Sequence, residues 1–354
     1  MENELRLMKG NEALAEAAIR AGVDGYFGYP ITPQSEVLEY LMASNPGKTT
    51  GMVVLQVESE LAAINAVYGG AACGKKVMTS SSSPGISLFQ EGISYIAGAE
   101  LPCLIVNVVR GGPGLGTIQP AQSDYFQACK GGGHGDYHLI VLAPASVQEM
   151  ADFVEIAFDL AFKYRNPVMI LSDGAIGQMM EKVYLKPPKE RSKTFPEWAT
   201  TGKTPERNRN IITSLDLDQY AQERRVLRLI EKYRQIENNE VKYEEINTDD
   251  ADYLLVAYGT SARVCLKTIQ LARNEGIKVG LLRPITLYPF PSKRIRELSC
   301  RMKHIISVEM SAGQMVEDVM LAVNGITDVS HFGRVGGVIT EPEEVLENLK
   351  SKLQ

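Results

Sequence analysis

The 354-residue sequence is short of several things, and each shortage closes a class of function. It has five cysteines, Cys73, Cys103, Cys129, Cys265 and Cys300, and no two form a C-x-x-C pair that could grip zinc or an iron–sulfur cluster. All five are expected to be small buried hydrophobes. Histidine is scarce too, with four residues. The one suggestive pair, His134 and His138, lies in GGGHGDYH, a glycine-rich loop rather than a helix, so no metal site is expected there. No window approaches the roughly 18 uninterrupted apolar residues of a membrane span, and the start MENELRLMKGNE puts charges where a signal peptide needs an apolar run. A soluble, cytoplasmic chain with no membrane role is the expectation. Positive charge is not in excess either: 37 Lys and Arg against 43 Asp and Glu give a formal net charge of −6. Phosphate-backbone attraction therefore has no source, and nucleic-acid binding is not expected.

What is present is ordinary globular material, 44% hydrophobic and 23% charged, in a chain long enough for two domains. From Gly10 to about Gln178 helical and strand-like segments alternate. GNEALAEAAIRAG and PQSEVLEYLMA read as helices around the strand GYFGY. Next come GMVVLQV, the alanine-rich helix ELAAINAVYGGAACG, KKVMTS, PGISLFQEGISYIAG and the buried strand LPCLIVNVV. HLIVLAP, the helix SVQEMADFVEIAFDLAFKY and the strand PVMILSD close the run. Strands separated by helices of roughly 10 to 18 residues predict βαβ units and a largely parallel sheet, which takes its ligands at the carboxyl ends of its strands.

Residues 1–180 thus form one α/β domain. Residues 181–250 differ in kind: a stretch rich in charge and proline precedes a charged helix, LDQYAQERRVLRLIEKYRQIE, in which Val226, Leu229, Ile230, Tyr233 and Ile236 make one apolar stripe. This is a connecting arm, and its charges are expected to face solvent. The alternation resumes at DYLLVAYG, so residues 251–354 form a second, smaller α/β domain.

Three strand tips could carry chemistry. In YFGYPITPQSE, Thr32 is expected to cap a helix whose first residue is Pro33, leaving a hydroxyl and free amides at a strand's carboxyl end. That arrangement suits either a capped helix alone or a small anion such as a carboxylate. Arg110 ends LPCLIVNVVR and enters RGGPGLGTIQPAQSD; it reads either as a surface arginine or as a guanidinium that meets a carboxylate in bidentate fashion. GGPGLG is not taken as a dinucleotide fingerprint, because TIQP cannot continue a helix cleanly. Glu60, in QVESELAAINAV, is a first-turn acid that stabilises its helix whether or not it is catalytic, as is Glu58.

Read in order, YPITP, VESELAA, TSSSSPGISL, RGGPGLG and EMSAGQM resemble the α subunit of the 2-oxoacid:ferredoxin oxidoreductases, and the resemblance runs end to end. Within that family, RGGPGLGTIQPAQSDYFQA and GGGHGDYHLIVLAPASVQEM are most similar to the branched-chain, 2-oxoisovalerate type. The resemblance implies a parallel-sheet pyrimidine-binding domain for thiamine diphosphate, followed by an α/β domain like the C-terminal domain of transketolase. It implies that Glu60 contacts the pyrimidine nitrogen of the cofactor as the catalytic acid–base group, with Tyr29, Pro30 and Ile31 beside the cofactor. Thr32 and Arg110 would bind the substrate's carboxylate and keto group.

The implied reaction is oxidative decarboxylation of a 2-oxoacid to its acyl-CoA, with electrons passed to ferredoxin. The alternatives are the same subunit type acting on 2-oxoglutarate or an aryl pyruvate, a non-catalytic assembly module, and a stand-alone transketolase-like enzyme. No G-D-G motif for pyrophosphate and magnesium is present, and SDGAIG at Ser172 is only a partial echo. The implied chain is therefore half a site. A β subunit is expected to bring the pyrophosphate pocket and Mg²⁺, iron–sulfur clusters are expected only in partner chains, and a γ subunit and a ferredoxin-like subunit complete the complex. Two positions depart from the family pattern: Ser83 stands where glycine is common, which is expected to alter the loop there, and Ser311 where asparagine is frequent.

Overall fold

Short runs of β-branched and aliphatic residues, spaced by helices with one apolar face, arrange residues 4–353 of the computed structural model into three sheets. The strands are β1 (Glu4–Lys9), β2 (Gly25–Gly28), β3 (Val53–Gln56), β4 (Val77–Ser81), β5 (Cys103–Val109), β6 (Ile140–Leu142), β7 (Pro167–Asp173), β8 (Met180–Leu185), β9 (Tyr243–Ile246), β10 (Tyr253–Val256), β11 (Val279–Pro284), β12 (Thr286–Tyr288), β13 (His304–Val308) and β14 (Asp328–Phe332). The large sheet has the order β12-β6-β7-β5-β4-β2-β3 and is parallel except for β12, which runs antiparallel to β6. Every residue of β4, β5 and β7 is buried, as expected of strands covered by helices on both faces. The second sheet, β14-β13-β10-β11-β9, is parallel apart from β9. The α/β expectation is met in both halves.

The strand order reverses at β2, which has its successor β3 on one side and β4 on the other. A reversal of this kind opens a crevice at the carboxyl ends of the strands. Six tips face that end of the sheet: Tyr29 after β2, the Ser59–Glu60 turn after β3, Ser82 after β4, Arg110 after β5, Ala143 after β6 and Asp173 at the end of β7.

Three features were not foreseen from sequence. β1 and β8 form a separate two-stranded antiparallel sheet, from Glu4 opposite Leu185 to Lys9 opposite Met180. Met8, Val183 and Leu185 pack with Ala13, Val147 and Ala151 as a small core of their own. The arm is not simply solvated: the Lys189 N–H donates to the Arg20 carbonyl at 2.7 Å, and the Arg191 Nε donates to Asp24 at 2.9 Å. On the helix Gln219–Asn239 the apolar stripe is inward as expected, with Leu229, Tyr233 and Ile236 buried, but Lys232 on the same helix is held by Glu100 and the Arg165 carbonyl. The cysteine expectation holds for Cys103, Cys129 and Cys265, whereas Cys73 and Cys300 are exposed at helix ends. No described helix is long and apolar enough to cross a membrane.

The two α/β segments are joined by buried polar groups rather than by apolar contact alone. Gln122, 1% exposed, donates through Nε2 to the Tyr258 carbonyl at 2.8 Å, and its Oε1 accepts from Ser261 Oγ at 2.6 Å and from the Met310 N–H at 3.0 Å. Its own N–H donates to the Met310 carbonyl at 2.9 Å. Met310 is fixed in turn by the loop that wraps Glu309. That fully buried carboxylate accepts from Ser307 Oγ, Ser311 Oγ and the N–H groups of Gln314, Met315 and Val316. Ser311, one of the two departures from the family pattern, thus serves as a donor to Glu309 at 2.8 Å. Replacing Gln122 by alanine breaks three side-chain hydrogen bonds and leaves the Ser261 hydroxyl and the Met310 N–H without a partner. A loss of about 3 kcal/mol of stability is expected, read as a lowered denaturant midpoint.

Candidate functional site

YPITP has no regular structure, so its carbonyl groups need donors from elsewhere. Gln34, fully buried, supplies two: its Nε2 donates to the Tyr29 carbonyl at 3.0 Å and its N–H to the Ile31 carbonyl at 2.9 Å. Gln34 is itself held by Ser80 Oγ, which donates to Oε1 at 2.7 Å and contacts the buried Tyr26 hydroxyl at 2.7 Å. The Pro33 carbonyl accepts from Asn11 Nδ2 at 2.7 Å and Gln178 Nε2 at 3.0 Å, and the Thr32 carbonyl from Arg110 Nη1 at 2.9 Å. Gly28, the last residue of β2, must lack a side chain because a Cβ would lie 2.4 Å from the Tyr26 hydroxyl oxygen.

Thr32 is not the helix cap expected from sequence. The helix begins at Ser35, its cap position is Gln34, and no side chain caps it. The physical reason is the turn closed by the Gln34 N–H on the Ile31 carbonyl, which comes before the helix and turns Gln34 inward. The Thr32–Pro33 peptide is cis. Thr32, Tyr29 and Pro30 are exposed at the rim, and Ile31 is half-buried.

Arg110 is 6% exposed, and no carboxylate pairs with it among the described residues. Its Nη1 and Nη2 donate to the carbonyls of Thr32 and Leu115, at 2.9 and 3.0 Å, while its Nε is buried with no partner. Between Gly111 and Ser123 the sequence has no lysine or arginine. That loop closes on itself, with the Thr117 N–H on the Gly111 carbonyl at 2.8 Å and the Gly111 N–H on the Gln119 carbonyl at 2.9 Å. It opens no helix, in keeping with the rejection of a dinucleotide fingerprint. Leu115 and Ile118 project from it, 81% and 56% exposed.

Glu60 is the first residue of the helix Glu60–Ala72, whose cap Ser59 accepts from the Ala62 N–H. It is 8% exposed, yet its carboxylate takes no hydrogen bond or ion pair from any described residue. Gly85, near the start of the helix Ser83–Gly98, lies against it: a Cβ there would come within 2.7 Å of Glu60 Oε1 and 2.0 Å of Ser81 Oγ. The hydroxyls of Ser81 and Ser82 are buried and unpartnered as well. The same helix start reaches Arg110 through Ser83, so residues 83 to 85 link Glu60 and Arg110, and Arg110 links Thr32. The structure therefore joins the three candidate residues into one constellation.

Sequence reasoning missed the positioning groups Gln34, Ser80, Asn11 and Gln178. Their signal, polar residues within otherwise apolar surroundings, has no spacing rule. Asp173, in the partial SDGAIG echo, has a structural role. It caps the helix Gly174–Gln178 and accepts from Thr260 Oγ1 at 2.7 Å, and burial pushes its carboxyl up. His138 stacks on Tyr288 with ring centroids 4.3 Å apart, and His134 is exposed. No group of His, Cys, Asp and Glu that could hold a metal occurs among the described residues.

Against known proteins, residues 16–248 match the family described as pyruvate flavodoxin/ferredoxin oxidoreductase, thiamine diphosphate-binding, and residues 251–345 match the pyruvate:ferredoxin oxidoreductase core domain II. The chain belongs to this family of thiamine diphosphate-dependent 2-oxoacid:ferredoxin oxidoreductases, as an α-type subunit. It is 54% identical over 347 residues to the ketoisovalerate oxidoreductase subunit VorB of Methanothermobacter thermautotrophicus, covering 98% of this chain and 97% of that one. It is 36% identical to the 2-oxoglutarate synthase subunit KorA of Methanothermobacter marburgensis, with 97% of each covered. Among solved structures, 2-oxoglutarate:ferredoxin oxidoreductase from Magnetococcus marinus superposes with a TM-score of 0.86 at 27% identity, over 99% of this chain and 65% of that one. A split-gene transketolase, at a TM-score of 0.61 and 13% identity, shares the fold.

The glycine contact gives a direct check of this geometry. Gly85→Ala should cost about 1–3 kcal/mol, because the methyl group meets Ser81 Oγ. Removing that oxygen as well, in Ser81→Ala, should recover part of the loss in a double-mutant cycle of thermal midpoints.

Proposed function

We propose that this chain is the pyrimidine-side half of a thiamine diphosphate active site that oxidises a branched-chain 2-oxoacid, with Glu60 as the acid–base residue and Arg110 and Thr32 holding the substrate. The observation that carries the reading is the presence at one end of the same sheet of two nearly buried groups without a counter-charge, the unpartnered Glu60 carboxylate and the unpaired Arg110 guanidinium, linked by the start of the helix Ser83–Gly98. A carboxylate left free in a nearly buried position is costly unless something else satisfies it. An aminopyrimidine fits: its ring nitrogen takes a hydrogen bond from a protonated Glu60 or gives one to the carboxylate. The unpartnered Ser81 and Ser82 hydroxyls add donors in the same place. Bound there, thiamine diphosphate supplies the carbon nucleophile for a 2-oxo group and a sink for the electrons released on decarboxylation.

The chain's own residues do the rest. Glu60 holds and moves the proton at the pyrimidine nitrogen. Arg110 pairs with the 2-oxoacid carboxylate and keeps it beside the Thr32 hydroxyl, which is free to meet the keto oxygen. Tyr29, Pro30 and Ile31 form the adjoining wall. Leu115 and Ile118 on the loop after Arg110 offer apolar surface to a branched side chain, and that loop has no cation for a second carboxylate. The reading assigns the pyrophosphate pocket and Mg²⁺ to a β subunit and the iron–sulfur clusters to partner chains. It assigns the remaining places to a γ subunit and a ferredoxin-like subunit, and coenzyme A as acyl acceptor. In the proposed division, residues 1–180 bind the pyrimidine, 181–250 form the arm, and 251–354 serve assembly.

In the copurified complex, Glu60→Gln should lower benzyl-viologen reduction by well over tenfold, in line with the loss of an acid–base group. Unchanged turnover would instead mark an assembly module. The same assay run with 2-oxoisovalerate, 2-oxoglutarate and aryl pyruvates should favour the first, and turnover with none of them rules the reading out. The isolated chain should bind thiamine diphosphate poorly in a calorimeter, since half of the pocket is absent. Micromolar affinity without partners would point to a self-sufficient, transketolase-like enzyme.

A further inference from the structure

Arg110 lies just past the end of β5, where an isolated bridge to Pro120 replaces the sheet on one side, while its own N–H and carbonyl are taken up by a neighbouring helix. Ser83, the first residue of the helix Ser83–Gly98, bonds the Arg110 backbone twice. Its Oγ accepts from the Arg110 N–H at 3.1 Å and donates to the Arg110 carbonyl at 3.2 Å. The Ser83 N–H in turn donates to Asn107 Oδ1 at 3.2 Å, and Asn107 Nδ2 donates to Asp124 Oδ2 at 2.9 Å. Asn107 is fully buried, and burial raises the Asp124 carboxyl against the opposing bond from Asn107. A polar chain therefore runs beneath the tip of β5 and ends on the two main-chain groups of Arg110.

A hydroxyl suits this place because it has one proton to give and lone pairs to accept with, so one oxygen can satisfy an N–H and a carbonyl together. Glycine at the same position has neither, and Arg110 would then have to take water. We propose that Ser83 is a positioning residue for Arg110, fixing its main chain so that the guanidinium stays on the Thr32 carbonyl with its remaining N–H groups available to the 2-oxoacid carboxylate. This rests on the reading of Arg110 as the carboxylate holder, and it turns the departure at Ser83 from an altered loop into an added hold on the substrate-binding arginine. Bidentate recognition of a carboxylate is sensitive to small displacements, so the effect belongs to substrate capture more than to the chemical step.

The test is steady-state kinetics of the assembled complex with 2-oxoisovalerate and benzyl viologen, with thermal midpoints measured alongside. Ser83→Ala should raise KM about tenfold while changing kcat by less than about threefold, and Ser83→Thr, which keeps the hydroxyl, should return KM to within about twofold of the parent. Ser83→Cys, similar in size but a weak hydrogen-bonding group, is the second variant should the alanine chain fail to assemble, and its KM should rise as well. Arg110→Lys should raise KM by about a hundredfold, because a point charge cannot replace the planar fork. If Arg110→Lys raises KM and the alanine or cysteine variant at Ser83 does not, the positioning role is overturned and the reading of Arg110 stands. An unchanged KM in Arg110→Lys removes both. Equal losses in Ser83→Ala and Ser83→Thr, in kcat and thermal midpoint together, would reduce Ser83 to a helix start and overturn the proposal.

Discussion

The hydrogen bond from the Arg110 guanidinium to the Thr32 carbonyl, at 2.9 Å, is the tie on which the site depends. It joins the ends of β2 and β5, two strands that are not neighbours in the sheet, with β4 lying between them. The irregular segment Tyr29–Pro33 cannot satisfy its own carbonyls, so its shape is whatever its external donors impose. Those donors come from Gln34, Arg110, Asn11 and Gln178, on four separate parts of the chain. A loop so held is rigid through its neighbours' rigidity, the condition for placing groups within a fraction of an ångström of a productive geometry.

Rigidity extends across the junction between the two α/β segments. The loop that returns from Arg110 ends at Gln122, whose side chain is tied to partners on Tyr258, Ser261 and Met310. Met310 in turn follows Glu309, a carboxylate surrounded by five donors. The second segment also touches the loop directly: a Cβ on Gly111 would meet the backbone of Gly336 and Gly337 at 2.9 and 3.0 Å. Burying this many polar groups is tolerable only because nearly every one is matched, and a matched network fixes one arrangement far more sharply than apolar contact does. The smaller α/β segment therefore acts on the site by holding the loop that Arg110 enters.

The alternation of apolar strands and one-sided helices was enough to read both sheets, because those patterns are local and repeat. Arg110 could be singled out because a charged residue directly after a buried strand stands out, and Glu60 because it is a first-turn acid in a stretch that resembles a known family. Thr32 was singled out for a reason the structure overturns: threonine before proline suggests a cap, whereas the structure places the cap at Gln34 and Thr32 at the rim. What sequence could not show was pairing at a distance. β1 meets β8 some 175 residues later, and Gln178 meets Pro33 across almost as long a span, with no local pattern to announce either. Two exposed cysteines escaped for a related reason, since Cys73 and Cys300 sit where helices end and the composition rule for buried thiols has no sense of place.

Thr286–Tyr288 comes from the downstream half of the chain, yet it supplies the outermost strand of the upstream half's sheet, pairing with Ile140–Leu142. The two halves are therefore not beads on a string that could be cut apart and used separately. A chain that stopped near residue 250 would leave a row of unsatisfied amides and carbonyls along a short, wholly apolar strand, the kind of bare margin on which chains add to one another. During synthesis that margin stays open until some 145 further residues have been made. The upstream sheet thus cannot gain its last strand until most of the downstream half has been made.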